Sequence, residues 1–320
     1  MKKGFLKFGA LLAVFLVAGF AGTCFAEDFP TKPITVICNY GAGGGTDLAT
    51  RALCNAAEKM LGVPINVVNK AGGSGSIGII ETKNSKNDGY TVGLLTFAPM
   101  AIVPHQIKVP YVPDDFDYIC TFGQYGYGIC VNSESDYKSI GDLVELARNT
   151  SGGLGYSASG YPQPFAMQAV GEKEGVKFNY IPYASAAEVL TAVLGGHVQF
   201  AVGGQAEITQ YMKADQLRLL ASATNMRWDT APEIPTLQEL GYDAALISFM
   251  GLGTPKGVPA DRLELLRDTF KKAYEDEQFQ TVMRNMNFAV SFTDGPAYDE
   301  FVHKGYKEYE KKMKEAVVAK

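Results

Sequence analysis

The sequence contains few residues of the kinds that build metal centres. Only three of its 320 residues are histidines, His105, His197 and His303, and they stand far apart. No group of histidines, cysteines and carboxylates has the spacing that zinc ligands usually show. The sequence therefore predicts no metal site, and no motif in it calls for a cofactor.

Basic residues are also in the minority. The 29 Lys and Arg residues face 34 Asp and Glu residues, which gives a formal net charge of −5. Three of the basic residues, Lys2, Lys3 and Lys7, precede the first apolar run, and without them the formal charge moves from −5 to −8. Such a chain has no general attraction for nucleic acid, so nucleic acid is excluded as a partner.

Long apolar runs are absent except near the amino terminus, between Phe8 and Phe20. This run is shorter than the roughly 18 apolar residues that a membrane span needs. Cys24 and Ala26 are small residues at the positions that a signal peptidase reads. We therefore expect a signal peptide at residues 1–26 and an exported mature protein that begins at Glu27. A retained anchor and a lipid-bearing Cys24 are the alternatives.

Four cysteines follow the predicted cleavage site, and none forms a Cys-x-x-Cys pair. Cys38, Cys120 and Cys130 lie in apolar runs typical of strands, and Cys54 lies in a helical pattern. Export favours oxidation, so a bond between Cys120 and Cys130 is one interpretation. Buried free thiols are the other.

Short apolar runs alternate with helical patterns along the mature chain. This alternation is typical of βαβ units with a parallel sheet. A Gly-rich aromatic stretch at residues 121–128 and a late strand at 245–253 predict two crossings between two sheets. We expect one domain at residues 27–124 plus 247–320 and a second at residues 125–246.

Two Gly-rich loops, at residues 39–47 and 69–78, each follow a predicted strand and precede a predicted helix. Glycine allows close approach of a ligand, and the first N–H groups of a helix have no partner within it. Each loop is therefore a candidate anion site, although glycines that merely close tight turns would look the same. The first loop lacks the lysine of a nucleotide-binding Walker loop and the third glycine of a Rossmann fingerprint.

These loops and several further motifs resemble those of the periplasmic receptors of tripartite tricarboxylate transporters, also called the Bug family. The matching segments occur in family order over nearly the whole mature chain: Phe29 to Ile34, Ala42 to Asp47, Asn69 to Gly78, Asp88 to Thr91, Pro182-Tyr183, Leu194 to Val198 and Pro235 to Gly241.

The resemblance implies an α/β, two-domain periplasmic-binding-protein fold of type II, the Venus flytrap, with a mainly parallel sheet in each domain. It implies a monomeric, non-enzymatic receptor that captures a small organic carboxylate and delivers it to membrane permease subunits.

The resemblance also implies ligand contacts. The carboxylate-holding residues of the first domain would be Tyr40, Ala42, Gly43, Gly44, Thr46, Asp47, Gly73, Ser74 and Ser76. The end of the ligand that varies would meet Tyr125, Ser157, Ser159, Gly160, Tyr161, Tyr183, Ala184, Ser185 and Ala186.

The sequence departs from the family at the far end of the site. Gly41 stands where proline is frequent, Tyr161 to Phe165 replace a Gly-Ser-His pattern, and an acid is missing near Gly203-Gly204. The usual specificity for dicarboxylates or tricarboxylates is therefore not predicted.

The two Gly-rich loops contain one basic residue, Lys70, which we expect to point to solvent. We therefore expect backbone N–H groups, helix amino termini and hydroxyls to hold the carboxylate. Asp47 would either cap its own helix or meet an ammonium or hydroxyl group of the ligand.

An exported α/β hydrolase is the alternative function, because Gly155 to Ser159 comes within one residue of the Gly-x-Ser-x-Gly nucleophile motif. Ser157 or Ser159 would be its nucleophile.

The aromatic residues Phe122, Tyr125 and Tyr127 either line a pocket or pack between the domains.

Overall fold

Two β-sheets divide the strands of the chain between them. The computed structural model describes residues 28–183 and 185–318, with side chains up to residue 314. The predicted signal peptide and Ala184 lie outside the described residues. From Lys32 onward the chain forms one compact unit, and both sheets belong to it.

The strands, in chain order, are β1 (Ile34–Cys38), β2 (Ile65–Asn69), β3 (Thr91–Leu94), β4 (Phe116–Gln124), β5 (Tyr127–Asn132), β6 (Leu154–Ala158), β7 (Phe178–Pro182), β8 (Phe200–Gly204), β9 (Leu217–Ser222), β10 (Phe249–Pro255) and β11 (Thr293–Asp294).

The α-helices are α1 (Gly45–Leu61), α2 (Ser76–Lys83), α3 (Phe97–Ala101), α4 (Ile140–Asn149), α5 (Pro164–Glu174), α6 (Ala186–Leu194), α7 (Gln205–Lys213), α8 (Ala260–Tyr274), α9 (Glu277–Asn285) and α10 (Gly295–Val318). Short 3-10 turns span Gly73–Gly75, Val103–His105 and Pro113–Asp115.

The first sheet has the strand order β11-β4-β10-β3-β1-β2. With α1, α2, α3, α8, α9 and α10 it forms the first lobe. β1 pairs in parallel with β2 and β3, whereas β10 runs antiparallel to β3 and β4. A strand from late in the sequence therefore fills the middle of this sheet.

The second sheet has the order β7-β6-β8-β5-β9 and, with α4 to α7, forms the second lobe. β6 pairs in parallel with β7 and β8, and β5 runs antiparallel to β8 and β9.

The predicted two-domain α/β fold is confirmed, but the sheets are mixed rather than mainly parallel. The antiparallel pairs arise at β4, β5 and β10, the strands that carry the chain between the lobes. The first crossing is much shorter than the Gly-rich stretch suggested, because only Tyr125 and Gly126 separate β4 from β5.

Helix α1 packs through the face on which its apolar residues recur. Its buried face includes Ala49, Leu53 and Ala57, at the spacing that one face of a helix requires, and the helix packs against α8 and α9. It ends at Gly62, which adopts a positive φ of 69° and donates its N–H to the carbonyl of Glu58.

The described cysteines are free and buried. Cys38 and Cys120 lie in strands of the first sheet and Cys130 lies in the second. Of the two interpretations of the cysteines, the structure shows free thiols, and the bond between Cys120 and Cys130 is absent. Among the described residues, no helix combines the length and apolar character needed to cross a membrane.

Candidate functional site

A cleft of about 1340 Å³ lies between the two lobes and is lined by residues of both. Both chain crossings reach it: Tyr125 belongs to the first and Ser248 to the second. The N–H of Tyr125 donates to the carbonyl of Ser248 over 2.9 Å. The two segments on which any movement between the lobes depends are thus joined beside the cleft.

The first Gly-rich loop ends at the amino terminus of α1. Leu48 is the first residue of this helix whose N–H reaches a carbonyl, that of Gly44, over 3.0 Å. Gly44 provides no side-chain cap. Among the described residues, the N–H groups of Gly45, Thr46 and Asp47 have no hydrogen-bond acceptor. Unpaired N–H groups at the start of a helix favour an anion, and Gly45 and Thr46 line the cleft.

Asp47 is buried in this loop and does not line the cleft. Its carboxylate accepts hydrogen bonds from the N–H of Gly43 (2.9 Å), from Nε of Arg51 (3.0 Å) and from Nδ2 of Asn69 (2.7 Å). Burial raises the pKa of Asp47, but these three donors together outweigh burial and hold the pKa below its usual value. Asp47 therefore shapes the loop and is unavailable to a ligand.

The second Gly-rich loop carries unusual backbone angles. Gly73, Ser74 and Gly75 all have positive φ, and for Ser74 the value is 55°. This region is unfavourable for a residue with a side chain, so the surrounding structure must hold it there. Ser74 lines the cleft. By contrast, Ser76 is buried, and its hydroxyl lies 3.0 Å from that of Tyr111.

Two asparagines join the loops to their surroundings. Asn69 donates from Nδ2 to the carbonyl of Tyr40 over 3.0 Å as well as to Asp47. Asn39 donates from Nδ2 to the carbonyl of Gly75 (3.3 Å) and to Oγ1 of Thr96 (3.2 Å). Both loops are therefore held in place by side chains at the ends of β1 and β2.

Tyr125 links the first crossing to the first loop. Its hydroxyl lies 2.8 Å from Oγ1 of Thr46, and its ring meets that of Phe288 edge-on at 5.9 Å. Burial raises the pKa of Tyr125 well above its ordinary value, so the phenol stays neutral and protonated. Phe122, by contrast, is buried against Phe279 in the first lobe and lies outside the cleft lining.

The second lobe contributes Ser159, Gly160, Tyr161, Ser185 and Ala186 to the lining. The loop at Ser159 is closed by Gln163, whose Oε1 accepts from the N–H of Ser159 (3.1 Å), from its hydroxyl (3.2 Å) and from the N–H of Gly160 (3.1 Å). Ser185 caps α6 by accepting from the N–H of Glu188 over 3.2 Å.

Ser157 lies elsewhere. Successive residues of a strand point to opposite faces, and Ser157 points into the core, where it is fully buried. Its hydroxyl donates to the carbonyl of Val189 over 2.9 Å. The structure therefore removes Ser157 from the predicted ligand contacts and from the role of a hydrolase nucleophile.

The cleft brings together half of the residues predicted from the sequence. Those that line it are Tyr40, Thr46, Ser74, Tyr125, Ser159, Gly160, Tyr161, Ser185 and Ala186. Ala42, Gly43, Gly44 and Gly73 are exposed loop residues beside it, Tyr183 packs against the core of the second lobe, and Ala184 is not described.

Several lining residues were not predicted, and they come from segments distant in sequence. They are Gln163, Gln205, Glu207, Ser248, Phe288 and His105, whereas Tyr127 lines the cleft as one interpretation of the aromatic stretch proposed. A sequence signal existed for two of them, because Gln163 lies in the Tyr161 to Phe165 segment and Glu207 follows the Gly203-Gly204 pair, where the chain departs from the family pattern. The others are brought to the cleft by tertiary contacts.

Comparison with known proteins identifies relatives. The protein encoded in the gbd 5′ region of Cupriavidus necator is 31% identical over 279 residues, which cover 86% of this chain and 85% of the relative. BugT of Bordetella pertussis is 27% identical over 275 residues, 84% of each chain.

A crystal structure of a TctC solute-binding protein from Polaromonas, without ligand, superposes with a TM-score of 0.77 at 29% identity. The alignment covers 88% of this chain and 98% of that one. The profile of the tripartite tricarboxylate transporter family receptor matches residues 49–317. The chain belongs to this family of solute-binding receptors.

Proposed function

We propose that the protein captures a small organic carboxylate in the cleft and holds the carboxylate group at the first lobe. The observation that carries the proposal is the unpartnered helix end at Gly45 to Asp47, which opens into the cleft beside Ser74. Two structures with the same fold support the ligand class. MatC of Rhodopseudomonas palustris contains malate (18% identity, TM-score 0.73), and a second protein of that organism contains adipate (21%, 0.75).

The carboxylate would be held without a cationic side chain. No lysine or arginine is found among the described residues that line the cleft. Lys70 pairs instead with Glu81 at 3.1 Å on the surface. Backbone N–H groups and the helix dipole favour an anion at the start of α1, and the hydroxyls of Thr46 and Ser74 add donors.

Closure of the lobes would complete the site. Sheet membership changes between Gln124 and Tyr127 and again between Ser222 and Phe249, which supports domain boundaries at 124/125 and 246/247. Rotation about these crossings would bring Ser159 and Ser185 over a ligand bound at the first lobe.

We further propose that residues 1–26 are removed on export, that the mature receptor is a periplasmic monomer, and that it delivers its ligand to the permease subunits of a tripartite transporter. The family assignment supports this role. The hydrolase alternative is not supported, since the relatives are receptors and Ser157 is buried.

A thermal-shift screen of small carboxylic acids tests the proposed function. A ligand that binds only the folded state raises the midpoint of unfolding in a saturable way. We expect saturable stabilisation by at least one acid, with the acid recovered unchanged afterwards. Conversion of a bound acid or ester, or a complete lack of stabilisation, would contradict the proposal.

A further inference from the structure

The cleft lining contains few ionisable side chains. Apart from tyrosines, the ionisable side chains in the described lining are Glu207 and His105. His105 lies in the first lobe, and its ring is 4.3 Å from that of Tyr306. The second lobe therefore presents one ionisable group of this kind to the cleft, and it is a carboxylate.

Several donors of the second lobe are engaged within the chain, and among the described residues the hydroxyl proton of Ser185 is an exception. Gln163 accepts from both backbone N–H groups of the Ser159–Gly160 loop and from the Ser159 hydroxyl. The N–H of Gln205 donates to the carbonyl of Gly126 over 2.9 Å. A second carboxylate arriving at this lobe would find these donors already occupied.

Glu207 lies in the first turn of α7, and its side chain folds back over Gly204. A Cβ atom at position 204 would collide with Oε2 of Glu207, so glycine leaves room for this carboxylate at the helix amino terminus. Among the described residues, Glu207 has no ion pair and no hydrogen-bond donor. Tyr127 and Glu207 both line the cleft. Burial chiefly raises the pKa of Tyr127, and the charge of Glu207 adds to this effect.

The two walls of the cleft thus differ in charge. The first lobe offers N–H and hydroxyl donors, and the second offers the Glu207 carboxylate where a helix end would otherwise attract an anion. We propose that the ligand is an amino-substituted monocarboxylate, whose carboxylate binds the first lobe and whose ammonium group faces Glu207, rather than a dicarboxylate. This inference rests on the proposed function and names the ligand class of the same site.

Calorimetric titration with matched pairs tests the inference on the mature wild-type protein. The pairs are 3-aminopropanoate with succinate, 4-aminobutanoate with glutarate, and 5-aminopentanoate with adipate, in which one ammonium replaces one carboxylate. We expect the amino acid of the best-fitting pair to bind about tenfold more tightly than its dicarboxylate, because like charges repel across a closed site. A dicarboxylate that binds more tightly than its partner in every pair would overturn the inference.

Two variants separate the role of Glu207 from a general loss of charge. In Glu207→Gln we expect the preference for the amino acid to fall by about tenfold. Glu277→Gln, which removes the same charge from the first turn of α9 outside the cleft, should leave it unchanged. An unchanged preference in Glu207→Gln would contradict the role of this residue. If none of the six compounds binds while another acid stabilises the protein in the thermal-shift screen, the inference fails and the proposed carboxylate function stands. If no acid stabilises the protein, the proposed function itself fails.

Discussion

The structure decides between the two roles that the sequence suggested for Asp47. The sequence suggested either a helix cap or a contact with a ligand ammonium group. In the structure its carboxylate is buried among Gly43, Arg51 and Asn69, while Glu207 is the exposed acid in the cleft. The acid of the Gly-rich loop therefore stabilises the loop, and an acid outside both Gly-rich loops lines the cleft.

We expect Asp47→Asn to lower the free energy of unfolding by about 2 kcal/mol at neutral pH, because the amide keeps one acceptor oxygen and turns its NH2 group toward another donor. The pKa of Asp47 is lowered in the folded state. Its contribution is therefore full above the unfolded pKa of about 3.9 and is lost as pH falls through the folded value.

Urea unfolding of both proteins at several pH values would measure this contribution. The difference between wild type and Asp47→Asn should shrink as pH falls below about 4. The exposed Asp268→Asn variant provides the control, and a difference that grows toward acid would contradict the assignment.

Gly73 and Lys70 test whether the backbone or a cation holds the carboxylate. Gly73 has φ = 56°, and the nearest atom to an added Cβ is 3.6 Å away. The cost of a side chain there is backbone strain rather than crowding. We expect Gly73→Val to weaken binding by more than about 1 kcal/mol through displacement of the loop, whereas Lys70→Ala should cost under about 1 kcal/mol, since its ion pair is exposed.

Calorimetry with the tightest ligand from the screen compares the two variants. Gly43→Val is a second test of the same kind, because Gly43 also has a positive φ, 76°, and open space around it. A collapse of affinity in Lys70→Ala, with both valine variants near wild type, would show that a side-chain cation holds the anion.

At the scale of elements, α10 contacts both lobes. It packs against β4 and α3 in the first lobe, and Tyr309 lies with its ring 6.0 Å from Phe97. The same ring is 5.1 Å from Phe165 of α5 in the second lobe. No local pattern in the sequence indicates this contact between the lobes, because it depends on residues far apart in the chain.

We expect Tyr309→Ala to lower the free energy of unfolding by about 3 kcal/mol, since a buried aromatic ring is removed from between two elements. Tyr309→Phe is the matched control and should change stability by less than about 0.5 kcal/mol. Chemical denaturation of the three proteins would decide the point, and equal stability of wild type and the alanine variant would contradict this role for α10.

Local sequence patterns indicate helices and strands, but they do not indicate which of these contact each other. Helix α6 illustrates a local signal, because its periodic apolar residues and the Ser185 cap lie within one short segment. The engagement of the Ser159 loop by Gln163 was not predictable, since it depends on a side-chain contact across a turn.

For the whole molecule, the reactivity of the cysteine thiols reports whether the protein is folded. Burial raises the pKa of all four described thiols, to about 12 for Cys130. Protonated and inaccessible thiols react slowly with disulfide reagents. We expect no reaction with Ellman's reagent at pH about 8 until the protein is unfolded.

Unfolding without a reductant should then release four thiols per chain if the signal peptide has been removed. Five would indicate retention of Cys24, and amino-terminal sequencing that begins at Glu27 would agree with four. Fewer than four thiols in the unfolded mature protein would show that a disulfide forms in the cell.

The central place of β10 has a consequence for biogenesis. This strand lies between β3 and β4, yet it follows the whole second lobe in sequence. During synthesis or export, the first sheet lacks its middle strand until residue 255 has emerged, and β3 and β4 present unpaired edges that invite aggregation. The second sheet, made of consecutive segments, can assemble earlier. The first sheet therefore cannot be completed before β10 has been made. A chaperone that binds the unpaired edges of β3 and β4 would bind a chain truncated before β10 more strongly than the complete chain.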